Sequence, residues 1–341
     1  MPHKTPEFWY PRDSGQPQPF YSKLLRPASW FYGVGFKVHQ ALFNAKKADI
    51  PVICVGNLTA GGSGKTPTCI ALISALKDND STKTPFFILR GFGGSERGPL
   101  LVDPKIHNTW DVGDEALVLS RYAPTIIAAD RFEGAKLATD NNADLVILDD
   151  GLQNPSLHKD FNLIVINGEM GFGNQQVLPA GPLREPLKYG LSKADAFLII
   201  GEDKKDVRSL LPKDAVIFKA DLQPDENTLP DRSKPYLAFA GLGYPEKFFN
   251  FLRTTLGYKI VKAVPYPDHY PYARTDIQAL RQQATALEAE MLTTEKDYFR
   301  LPKGFKDDVS VVHVSMILDN QKGLVALISK CIENVRKERK A

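Results

Sequence analysis

The stretch Val55–Pro67, VGNLTAGGSGKTP, constrains this chain more than any other, because it joins a β-rich run, PVICVGN at 51–57, to a helical run, TPTCIALISALK at 66–77. A glycine-rich turn there aims successive backbone N–H groups at one point. The helix behind it adds partial positive charge, and the two together cradle phosphate oxygens. The general pattern is G-x-x-x-x-G-K-[ST], and Thr59 holds its first glycine position, where a threonine hydroxyl can still close the turn. Gly61, Gly62 and Gly64 supply steric freedom, Ala60 and Ser63 complete the loop, Lys65 supplies a point charge and Thr66 a hydroxyl for Mg²⁺. Pro67 falls early in the helix, where a missing N–H is tolerated.

Further short apolar runs follow: FFILRG, TIIAAD, DLVILDD, FNLIVING and DAFLII, between 86 and 200. Runs that are apolar on both faces suit a parallel sheet covered by helices. Helical patterns fall near Thr66–Lys77, Glu115–Tyr122, Phe132–Asn141 and, weakly, Leu191–Lys193. The fold class is therefore α/β, a doubly wound, mostly parallel P-loop domain. Composition turns polar and proline-bearing at 202–235, a domain junction, and beyond it strand and helix patterns resume, with a helix from about Arg274 to Glu290. A second, smaller α/β domain is expected, with VSVVHVSMIL at 309–318 pairing with VIFKADL as a two-stranded linker. The expected division is a region 1–44, a P-loop domain 45–215, and linker strands with the smaller domain over 216–319. A C-terminal helix within 320–341 would return to the first domain.

The chain has 341 residues, and a formal charge of +3 from 43 basic and 40 acidic residues makes no case for nucleic acid. Cys54, Cys69 and Cys331 lack C-x-x-C spacing, which argues against a disulfide framework or zinc site and fits a reducing compartment. The first twenty residues lack the layout of a secretory leader. Residues 20–44 are aromatic and apolar but punctuated by Lys23, Arg26, Lys37 and His39. The apolar stretch is too short for a bilayer span, which needs about 20 residues. An interfacial helix with Trp30, Phe31 and Tyr32 at headgroup level is one reading, and a helix packed on its own domain is the other.

A triphosphate site needs a second carboxylate for its metal, and DLVILDD ends in Asp149 and Asp150. Adjacent carboxylates at a strand end repel, so a cation or basic partners would explain them; turn or cap aspartates before Gly151 are the plainer alternative. Likewise Asp114 in VGDEA could cap the helix that starts there, and His269 could be an ordinary loop histidine.

Taken together, GNLTAGGSGKTP, VGDEA, DDGLQN at 149–154, GFGNQQVLPAGPLREP at 171–186, PDHYPY at 267–272 and TTEKD at 293–297 resemble the tetraacyldisaccharide 4'-kinase family, the lipid A kinases of Gram-negative bacteria. The motifs stand in family order from about residue 8 to 301, and the family's loop also carries threonine at the position of Thr59. The resemblance implies transfer of the ATP γ-phosphoryl group to the 4'-hydroxyl of a tetraacylated glucosamine disaccharide 1-phosphate. It also implies a peripheral or shallowly anchored position on the cytoplasmic face of the inner membrane, through the N-terminal helix, with no protein partner. Carried over by position, it makes Asp114 paired with His269 the base, Lys65 and the loop from Thr59 to Thr66 the ATP site, and Thr66 with Asp149 or Glu115 the Mg²⁺ ligands. Arg131, Asp150, Gln153, Arg184 and Glu185 are assigned to substrate, with Arg90 and Asn154 as further candidates, although the family often has histidine where Asn154 stands. TTEKD, read as a capping-box helix start with Thr294 and Asp297, is left outside the catalytic set. The rival class is a P-loop GTPase or metallochaperone-like switch, for which an N-K-x-D segment is expected and none stands in a suitable place.

Overall fold

The computed structural model describes residues 6–11, 22, 24–243, 245–268, 270–302 and 304–339. Helix α1 (Arg26–Leu42) leads to strand β1 (Val52–Gly56), and the glycine loop carries the chain into α2 (Lys65–Asp78). Then come β2 (Pro85–Leu89), β3 (Leu100–Leu101), α3 (Asp114–Leu119), β4 (Thr125–Ile127), α4 (Arg131–Asp140), β5 (Leu145–Asp149), β6 (Phe161–Asn167), β7 (Ala196–Ile200) and β8 (Ile217–Pro224). A second unit holds β9 (Pro235–Gly241), β10 (Lys259–Tyr266), α5 (Arg274–Ala286), β11 (Glu290–Thr294), α6 (Glu295–Arg300) and β12 (Val309–Val312), before β13 (Val314–Leu318) and α7 (Gln321–Glu338).

The larger sheet runs β13-β8-β7-β6-β1-β5-β2-β4-β3, parallel from β8 to β4 with antiparallel strands at both edges. Strands β1, β2, β5 and β7 are buried along their whole length, as doubly apolar runs require. The smaller sheet, β10-β9-β11-β12, is parallel throughout. Two sheets with separate cores confirm the expected α/β class with a second, smaller domain.

Two local expectations change. The run 309–318 is two strands, not one: β12 joins the smaller sheet beside β11, and only β13 pairs antiparallel with β8. The expected pairing with VIFKADL holds for β13, and because β8 also pairs with β7 the linker strands extend the larger sheet's edge. The short helix expected around Leu191–Lys193 lies earlier, at Leu187–Leu191, where Pro186 precedes its first turn.

Helix α7 closes the circuit. Leu324, Ile328 and Ile332 recur on one face and are buried in the larger sheet's core, Val335 is buried one turn further on, and Arg336 and Arg339 bond Asp144 and Asp160 at the helix end. Helix α1 is the opposite case. Ser29, Phe36 and Gln40 dock it: the Ser29 hydroxyl donates to the Val177 carbonyl at 2.7 Å, Gln40 donates to the Gln153 carbonyl at 2.7 Å, and Phe36 meets Tyr189 edge-on. Trp30, Val34, Val38 and Leu42, four residues apart and so on another face, are exposed, together with Phe31. The helix thus packs on its own domain and still leaves an apolar stripe outward.

Candidate active site

The site forms at the carboxyl ends of the parallel strands, where open α/β sheets collect ligands. The loop after β1 is held from below. Asn57 Nδ2 donates to the Thr59 carbonyl at 2.8 Å, Ala60 N–H donates to the Pro182 carbonyl at 2.8 Å, and Thr59 bridges to Leu183. Left-handed backbone falls on Gly61 and Gly64, whereas Thr59 has no positive φ. A threonine is therefore free to stand at the first glycine position. The φ of 88° at Gly64 requires glycine; the Ile200 atom that a Cβ there would meet, at 2.6 Å, is a terminal methyl that can shift.

Asp149 closes β5 directly beside this loop. The Thr66 hydroxyl donates to its Oδ2 at 2.9 Å, while its Oδ1 is buried with no partner among the described residues. Burial, reinforced by Glu115 and Asp150 against the opposing Lys65, pushes the Asp149 carboxyl up to about 7. Asp150 adopts a left-handed φ of 60° and turns the other way, toward Lys65 Nζ at 3.6 Å and Arg184 at 2.7 Å. Burial acts to raise its pKa, but Lys65 and Arg184 outweigh that and hold it below the usual carboxylate range. The Ser63 hydroxyl is also buried without a partner among the described residues.

The remaining expected residues divide. Arg131 opens α4 behind β4; its guanidinium donates to the Ala128 and Ala129 carbonyls, its Nε is buried without a described partner, and burial pushes it down to about 10. Arg90, at the end of β2, is exposed. Gln153 Nε2 donates to the Asn57 carbonyl and to Glu185 Oε1, both at 2.9 Å. Glu185 is fully buried, and its other oxygen meets Lys193, whose ammonium lies over the Tyr189 and Phe36 rings. Both Glu185 oxygens are thus occupied by the protein, and Gln153 props the base of the loop. Asn154 Oδ1 accepts from the backbone and hydroxyl of Ser156.

Asp114 is the first residue of α3, after Gly113 with φ 83°. It is buried, and Arg300 of α6 donates to its Oδ2 through Nε at 2.9 Å and through a second nitrogen. Glu115 is paired with Lys296 at 2.7 Å. His269 lies outside the described residues; three positions on, the Tyr272 hydroxyl donates to Asp297 Oδ1 at 3.0 Å, in the same network as Arg300.

Lys296, Asp297 and Arg300 are the residues that the sequence reading left out. Thr294 does cap α6, accepting from Asp297 N–H at 3.2 Å, as the capping-box pattern expects. The missed signal is that Lys296 and Arg300 stand four apart on a helix that begins at the end of a buried strand, and so share one face.

A glycine loop opening a helix, with a strand-end carboxylate bonded to the first-turn threonine, in a doubly wound sheet, defines a P-loop nucleotide-binding protein. Residues 21–333 match the family model described as LpxK, tetraacyldisaccharide-1-P 4'-kinase. The chain is 41% identical over 327 residues to the tetraacyldisaccharide 4'-kinase of Rhodospirillum centenum, covering 96% of both, and 42% identical over 312 residues to that of Gluconacetobacter diazotrophicus, covering 92% of this chain and 93% of the relative. A crystal structure described as the "apo" form of LpxK from Aquifex aeolicus in complex with ATP superposes with a TM-score of 0.75 at 27% identity, over 92% of this chain and all of the other. The chain belongs to the tetraacyldisaccharide-1-P 4'-kinase family.

Proposed function

We propose that the protein transfers the γ-phosphoryl group of ATP to the 4'-hydroxyl of a tetraacylated glucosamine disaccharide 1-phosphate, a step of lipid A biosynthesis. The family match over residues 21–333 carries this reading, and the loop with Lys65, Thr66 and Asp149 supplies the chemistry. The relatives are named kinases, so the GTPase or switch-protein reading has no support.

In this mechanism the loop amides and Lys65 bear the phosphate charge. The donor set beside them fits Mg²⁺, since Thr66 and Asp149 offer hard oxygens and Asp149 Oδ1 is buried without a described partner. Thr66 and Asp149 would hold the ion, with Glu115 nearby; when bound, Mg²⁺ neutralises charge on the β- and γ-phosphates. The acceptor hydroxyl oxygen forms the new P–O bond as the bond to the ADP oxygen breaks, and Asp114, with His269, takes the hydroxyl proton. Arg184 is the substrate-facing cation of this reading, and Asp150 fixes it; Arg131, buried and donating to the Ala128 and Ala129 carbonyls, supports the strand ends from within. Gln153 and Glu185 support the loop from behind.

No helix among the described residues is long and apolar enough to cross a membrane. The outward stripe of α1 supports an interfacial position on the cytoplasmic face of the inner membrane, where the lipid substrate resides.

The test is transfer of label from [γ-³²P]ATP to detergent-dispersed tetraacyldisaccharide 1-phosphate. Labelled lipid is expected, and Lys65→Ala should reduce its formation by at least about 100-fold. Release of inorganic phosphate with no lipid product would overturn the assignment.

A further inference from the structure

Helix α6 is unused by the mechanism above, yet it faces the site with three ion pairs. Arg121 beyond α3 meets Glu295 at 2.6 Å, Glu115 meets Lys296 at 2.7 Å, and Asp114 meets Arg300. In each pair one partner comes from the P-loop domain and the other from the smaller domain. The first two are part-exposed and contribute little beyond registering the helices. The third is different in kind, with both side chains about 5% exposed.

The Arg300 guanidinium is held before it reaches Asp114. Its Nη1 donates to the Gly241 carbonyl at 2.9 Å and to Asp297 Oδ1 at 3.1 Å. Asp297, fully buried, is itself fixed by the Gly241 N–H at 2.9 Å and the hydroxyls of Tyr272 at 3.0 Å and Thr294 at 2.6 Å. All these anchors belong to the smaller domain, so the edge formed by Nε and Nη2 points outward as a rigid fork. That fork grips Asp114 Oδ2, while Asp114 Oδ1 accepts from the Glu115 N–H at 3.0 Å.

We propose that Arg300 is a positioning residue for phosphoryl transfer, which orients the Asp114 carboxylate from the smaller domain and so ties a competent base to the docked arrangement of the two domains. The proposal rests on the reading of Asp114 as proton acceptor. A planar group with separate edges for Asp297 and Asp114 carries out this role, and a lysine, with one donor centre, does so only in part. Because Arg300 is anchored away from the nucleotide loop, its loss should act on turnover and not on ATP capture.

The experiment compares Arg300→Gln, Arg300→Lys, Asp114→Asn and the double variant Asp114→Asn/Arg300→Gln in the full chain, by steady-state lipid phosphorylation and by melting temperature. Arg300→Gln should lower kcat on the order of 100-fold, as expected for a misplaced reacting group, with KM for ATP within about threefold. Arg300→Lys should recover part of the loss, and Arg300→Gln should cost nothing further in the Asp114→Asn background. Wild-type kcat in Arg300→Gln, or a second full loss in the double variant, would overturn the positioning role while Asp114→Asn itself stays slow but measurable. If Arg300→Gln melts below the assay temperature, the same comparison with Arg300→Lys decides by the same criteria. Wild-type turnover in Asp114→Asn alone would remove the base assignment itself, and the positioning role with it.

Discussion

Thr59 and Gly64 show how differently two positions of one loop depend on glycine. Thr59 has no left-handed backbone and is tied to Asn57 and Leu183, so glycine there gains no conformation the loop needs and costs chain entropy. Thr59→Gly should therefore leave ATP affinity unchanged or weaker, and should lower stability by up to about 1 kcal/mol in urea denaturation. Gly64→Ala puts a Cβ on a left-handed φ and should cost the ~1–2 kcal/mol of the backbone, with ATP binding lost in the same titration. Tighter ATP binding by Thr59→Gly would mean that the position is a defect in the loop. The glycine pattern was readable because backbone freedom is a property of residue type. The partners of Asp114 were not, since nothing local in VGDEA specifies a guanidinium 186 residues further along the chain.

At the scale of elements, α1 and α6 were each only half legible. Periodicity finds α1 as an amphipathic helix, but which face docks depends on partners such as Val177 and Gln153, remote in sequence. Contact through Ser29, Phe36 and Gln40 leaves Trp30, 64% exposed, and Leu42, 77% exposed, outward. Replacing Trp30, Phe31 and Leu42 together by Ser should reduce sedimentation with vesicles containing anionic lipid by at least tenfold, while melting temperature stays within a few degrees, since none of the three is buried. Unchanged vesicle binding would remove α1 as the membrane contact. For α6, the capping pattern of Thr294 and Asp297 was visible, but Asp297 serves both the cap and the buried network, and only the cap has a sequence signature.

The whole molecule is closed by its last segment. After the smaller domain, β13 adds to the larger sheet and α7 buries Leu324, Val325, Ile328, Ile332 and Val335 against it. Each of these contributes about 1.5–3 kcal/mol on burial, so their sum rivals the stability of an ordinary domain. A chain ending at Asp319 should be insoluble or lose its cooperative thermal transition; a normal melting profile would show that the larger sheet stands without α7. The sequence by itself determined the doubly wound class, the phosphate loop and the carboxylates that end β5, because strand and helix periods, glycine freedom and strand-end charge are local properties of residue type and order. Only the tertiary structure decided that Glu185 is a buried support, that the run 309–318 divides between two sheets, and that Arg300 and Lys296 reach Asp114 and Glu115. Ion pairing and burial depend on which distant segments meet, and that is set by packing across the fold.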